Sequence, residues 1–302
     1  MSTAYPEGLP APFVHPSPPQ RPELPDGVEP TSIAPDWRVW MGFSALLVGF
    51  VAAAVGAVIL TLIGGAFDGS VVASGKLANP SPAVNILATV VQDLCLIGAA
   101  VIFARIAGRP RPWDFGLRAT RFWPAVGWGL VTWAAFLAVT LAWVNLVGAE
   151  NTSEKLPTEL GADKSRLALV CVGILVCVLA PLAEEFFFRG FFFTALRSWK
   201  GIWPAAVTTG LIFGAIHAGS SNIAFLVPLA FFGFALCLLY AKTGSIYPCI
   251  AIHAANNSIA FCSSQGWGWQ MVPVLIGTLA IVALICWLVR LAAGPAPASA
   301  LS

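Results

Sequence analysis

From Trp37 onward the chain is a succession of apolar runs, read as eight spans at about 38–64, 83–107, 122–148, 167–190, 202–218, 222–241, 245–262 and 271–291. A helix crossing a hydrocarbon core needs roughly 20 apolar residues. Backbone groups inside a bilayer must be satisfied within the segment, which leaves helices as the economical solution. Composition agrees: 58% of residues are hydrophobic, 10% are charged and mean hydropathy is +0.82, whereas soluble domains carry about a quarter charged residues. The expected fold is all-α, a polytopic transmembrane bundle of about eight spans. The fourth span should continue as an amphipathic extension to Trp199. The short spacing between spans five and six suggests tilt or irregularity, and Lys242-Thr243-Gly244-Ser245 reads as a tight turn joining spans six and seven.

The flanks differ. Residues 1–36 hold ten of the 23 prolines and no long apolar run, which reads as a disordered, partly extended arm, with His15 idle inside it. No basic stretch precedes a short apolar one there, so the arm is not a secretory signal. The transmembrane domain is expected over 37–293, with a short tail at 294–302. In an eight-span layout, Arg21, Arg38, Arg105, Arg109, Arg111, Arg118, Arg121, Arg197, Lys200, Lys242 and Arg290 fall on one side, eleven in all, against Lys76, Lys155, Lys164 and Arg166 on the other. The positive-inside rule then makes both termini cytoplasmic, in a multi-pass protein of the plasma membrane. A net charge of +2 gives no reason to expect nucleic acid. The seven cysteines form no CxxC pair and read as small buried hydrophobes.

Polar residues inside such spans are expensive and mark function by default. The fourth span carries Glu184, Glu185 and Arg189, the fifth ends in Phe213-Gly214-Ala215-Ile216-His217, and the seventh carries His253 and Asn257. Residues four apart share a helix face, so Glu185 can pair with Arg189, and His253 and Asn257 point together. Glu184 and Glu185 diverge by about 100°, which leaves Glu184 the freer carboxylate. At about 1.5 Å per residue, all these groups can meet in one layer of the membrane. Pro181 should kink the fourth span just before the glutamates. Gly190, Gly210, Gly214 and Gly219 should permit close helix approach.

Glu184-Glu185-x-x-x-Arg189, Phe213-x-x-x-His217 and His253-x-x-x-Asn257, in this order on separate apolar helices, resemble the signature of the CPBP intramembrane endopeptidases. That family includes the type II CAAX prenyl proteases and the bacteriocin-processing or Abi-type proteins. Two softer segments also resemble it: Arg109-Pro110-Arg111-Pro112-Trp113-Asp114-Phe115-Gly116-Leu117-Arg118 and Thr243-Gly244-Ser245-Ile246-Tyr247-Pro248. The likeness covers about 109–262, a protease-like core that leaves out the arm and the first span. It implies a helical bundle whose site faces a cavity open to the cytosol. Glu184, assisted by His217, would activate water, and His253 with Asn257 would stabilise the oxyanion. Glu185, Arg189 and Phe213 would support them. The substrate would be a membrane-embedded or lipidated peptide or protein, of which prenylated CAAX chains are one subset.

Members are often described as metalloproteases. Glu184, His217 and His253 could supply the three protein ligands of a catalytic Zn2+, but no HExxH sits on one helix, and a metal-free glutamate mechanism uses the same residues. Both stay open, with the metal-free one favoured. Outside protease chemistry, the fold could serve as a non-catalytic membrane scaffold or bacteriocin-immunity-type protein. A proton-linked transporter using Glu184, Glu185 and Asp93 is a further alternative, although no internal repeat supports it. Asp93 shapes the cavity or simply lies near the far interface. The aromatic run 186–193 reads as packing, and the tryptophans near span ends as interfacial anchors.

Overall fold

In a computed structural model, residues 35–68, 80–149, 152 and 154–294 are described. The expectations of a disordered arm, a short tail and a charge at Lys76 fall outside them, wholly or nearly so. Nine helices form among the described residues: α1 Val39–Asp68, α2 Pro82–Ile106, α3 Phe122–Val147, α4 Leu156–Glu159, α5 Arg166–Lys200, α6 Ile202–Ile216, α7 Leu226–Thr243, α8 Tyr247–Ser264 and α9 Met271–Ala293. No strand occurs among the described residues. A helix stands at each of the eight expected positions, and α5 runs on to Lys200 as expected. Six helices are long and apolar enough to cross a membrane. The other two are α6, with 15 residues, and α8, which has 18 residues and is made less apolar by Asn256, Asn257 and three serines. The chain is an integral multi-pass membrane protein.

The helix ends follow local chemistry. The Ser81 side chain accepts from Val84 N at 3.4 Å, with Pro82 as the first helical residue, and Ser165 accepts from Ala168 N at 3.1 Å. Such caps satisfy amides that have no partner within the helix. α5 is the axis of the bundle. It packs against α2, α6, α7 and α8, while α1 covers α2, and α3 and α9 flank α7 and α8. The two softer motif segments meet: Arg118 Nε donates to Gly244 O, and Ile246 N donates to Gly116 O at 3.0 Å. Gly116 has φ +75°, and a side chain there would strike Tyr240 at 2.6 Å.

Close approach is real at three of the four glycines. An added Cβ would come within 2.8 Å of Phe115 O at Gly190, 2.6 Å of Ala230 O at Gly210 and 2.6 Å of Leu226 O at Gly214. Gly219 differs from expectation. It lies in the α6–α7 loop with open space around it. In lipid, packing rather than water exclusion holds helices together, and α6 and α7 achieve it backbone to backbone. The aromatic run is core: Phe187, Phe188, Phe191, Phe192 and Phe193 are fully buried. With Phe213 they fill the half of the bundle toward the arginine-rich loops.

Candidate active site

α5 departs from α-helical hydrogen bonding on both sides of the glutamates. Leu175–Leu179 and Phe186–Phe193 are π-helical, and such segments are frequent at functional sites. Pro181 gives a physical reason for the first. Ala180 N donates to Leu175 O, and Pro181 has no N–H to offer Val176 O. That carbonyl instead accepts from Asn257 Nδ2 at 3.0 Å. The kink expected from Pro181 therefore takes the form of a widened turn, stitched to α8 by the motif asparagine. Restoring the amide with Pro181→Ala should make Asn257→Leu less damaging. In a double-mutant cycle followed by thermal unfolding in detergent, the expected coupling is about 1 kcal/mol, and strict additivity would refute the stitch.

The paired charges are sealed. Glu185 and Arg189 are fully buried. Arg189 Nη1 donates to Glu185 Oε1 at 2.8 Å, Nη2 donates to Gly233 O at 3.0 Å, and the guanidinium lies 4.7 Å from the Phe213 ring centre. Glu185 Oε1 also meets His253 Nδ1 at 2.7 Å, so Glu185 orients the histidine as well as pairing with arginine. The His253 ring is gripped edge-on by Phe213 and Phe232, at 5.8 and 5.5 Å.

Its other nitrogen, Nε2, faces Glu184 Oε2 at 3.8 Å. That oxygen is buried without a hydrogen-bond partner. The imidazole nearest Glu184 is thus His253. No ion pair joins Glu184 to His217 among the described residues. His217 caps α6, and its Nδ1 lies 2.6 Å from Phe213 O, which holds the ring with Nε2 free.

Glu184, His217, His253 and Asn257 all line one cavity of about 360 Å³. Asp93 lines it too, 6% exposed, so it belongs to the cavity rather than to an interface. The metal set does not fit: among the described residues no three His, Cys, Asp or Glu side chains gather as a metal ion would need.

The loop end of the cavity is formed by Glu154, Leu156 and Pro157 and by Gly219, Ser220 and Ser221. These loops lie on the face with few lysines and arginines.

Glu154 was not singled out by sequence, because it lies in an irregular loop with no motif around it. The only hint was the acidic character of 150–163. Burial raises its carboxyl above the ordinary value, opposed by the nearby Ser221 hydroxyl. The folded protein then binds this proton more tightly than the unfolded chain, so the contribution is favourable at low pH and is lost as pH rises through the raised value. Stability measured from pH 4 to 8 should therefore fall less steeply in Glu154→Gln than in the parent; parallel curves would show that the group is unperturbed.

Among known proteins, residues 166–259 match the family model described as Rce1-like, type II CAAX prenyl endopeptidase Rce1-like. The chain is also 30% identical over 128 residues to an uncharacterized 24.3 kDa protein of Escherichia coli, an alignment covering 41% of this chain and 58% of that protein. No solved structure matches. All three polar motifs fall inside the matched segment, and the core of the chain is thereby matched to the CAAX-protease and bacteriocin-processing family that those motifs resemble.

Proposed function

We propose that the protein is an intramembrane endopeptidase hydrolysing peptide bonds of membrane-associated chains. The observation that carries this reading is Glu184 Oε2, buried and unpartnered in a polar cavity at membrane depth, 3.8 Å from a histidine fixed by its own carboxylate. Glu184 takes a proton from water, and the water oxygen bonds to the peptide carbonyl carbon. The resulting oxyanion is met by N–H donors placed beforehand, which is where electrostatic catalysis gains most. His253 Nε2, on the ring that Glu185 orients, is one donor when it carries a hydrogen. Asn257 has one N–H committed to Val176 O and one remaining. The C–N bond then breaks, and the proton on Glu184 leaves with the amine. His217, with Nε2 free, hydrogen-bonds the water or the departing amine.

The test is cleavage of membrane-anchored peptides, lipidated and unlipidated, by the purified protein in proteoliposomes. New N-termini would be read by mass spectrometry, with a chelator arm for metal dependence. Cleavage at defined bonds is expected. Well-folded protein that leaves every peptide intact would move the reading to the non-catalytic scaffold.

A further inference from the structure

Among the described residues the cavity's titratable lining is three carboxylates and two imidazoles, His217 and His253. Asp93, Glu154 and Glu184 contribute carboxylates, and no lysine or arginine lines it. The nearest buried cation, Arg189, is engaged by Glu185 and Gly233. Asp93 stands apart from the proposed chemistry. It sits on α2, which packs against the Ala180–Glu185 turn of α5, and it lines the same cavity as Glu184. It is more than nine-tenths buried, and among the described residues its Oδ2 has no hydrogen-bond partner. A buried carboxylate without a partner is costly, and two like charges in one cavity repel. A cation placed between them relieves both.

We propose that this site selects substrates with a lysine or arginine beside the scissile bond, and that Asp93 receives the basic group. The inference rests on the peptidase reading for the words "scissile bond" but not for the binding site itself. Asp93 is a specificity-determining residue. It holds the side chain next to the bond and places the carbonyl over Glu184.

The experiment uses the full chain in nanodiscs and three fluorescent membrane-anchored peptides that differ only at one position, lysine, glutamine or glutamate. Binding is measured in a His217→Ala background, which keeps both carboxylates while leaving the peptides intact, and cleavage is measured with the wild type. The lysine peptide is expected to bind about 30-fold or more tightly than the glutamine one, the scale of a desolvated charge pair, and the glutamate peptide to bind worst. Asp93→Asn should erase the lysine preference, Asp93→Glu should keep it, and Asp93→Lys should shift preference to the glutamate peptide. Equal binding of the lysine and glutamine peptides, or a lysine preference that survives Asp93→Asn in folded protein, overturns the proposal. Lysine-selective binding without any cleavage would overturn the peptidase reading and leave the cation site standing. Cleavage indifferent to charge would do the reverse.

Discussion

Glu184→Gln is expected to lower kcat by about 10²–10⁴-fold, the range supplied by a positioned general base, with KM little changed. Glutamine keeps the shape of the side chain and removes only its ability to take a proton. The same substitution should leave the melting temperature equal or higher, because Glu184 Oε2 makes no hydrogen bond that the fold relies on and a buried unpartnered carboxylate is a liability. Activity lost without stability lost is the signature of a site maintained against the interests of the fold. Rates within a few-fold of wild type would remove Glu184 from the chemistry and leave His253, already oriented by Glu185, as the base to examine.

The second large effect concerns stability. Arg189→Met should cost about 3–5 kcal/mol, the scale for removing one partner of a buried ion pair, with detergent-solubilised protein melting far below wild type or failing to purify. The cost arises because Glu185 remains at full burial without its guanidinium and Gly233 O loses its donor. Replacing both partners, as Glu185→Leu with Arg189→Met, should recover much of that stability, since two well-packed apolar side chains leave no orphaned charge. It should not recover activity, because His253 then loses the carboxylate that sets its ring. A single Arg189→Met that melts like wild type would mean that the pair carries no structural weight.

Much of this architecture was legible in the residues, and the parts that were not have physical reasons. Span positions follow from apolar length, which a bilayer reads almost directly. The Glu185–Arg189 contact follows from four-residue spacing. The convergence of the fourth, fifth and seventh spans on one cavity was expected from depth alone. What depth cannot supply is rotation: it set the polar groups in one layer, whereas packing of Phe213 and Phe232 turns His253 toward Glu184 and Phe213 O holds the His217 ring by its Nδ1. The π segments were illegible, because a shift from four- to five-residue hydrogen bonding leaves no mark on composition. Only Pro181 hinted at the first. Gly219 looked like its neighbours in sequence but has no helix to approach. Glu154 required the fold of two loops against each other before it could be seen at all.

The buried aromatic mass formed by Phe187, Phe188, Phe191, Phe192, Phe193 and Phe213 has a bioenergetic consequence. A polar cavity at membrane depth admits water, and a water column crossing the whole bilayer would leak protons. Here the polar cavity ends at the glutamates and the remaining thickness is solid ring packing. The protein can wet one half of the membrane while its other half remains an insulator.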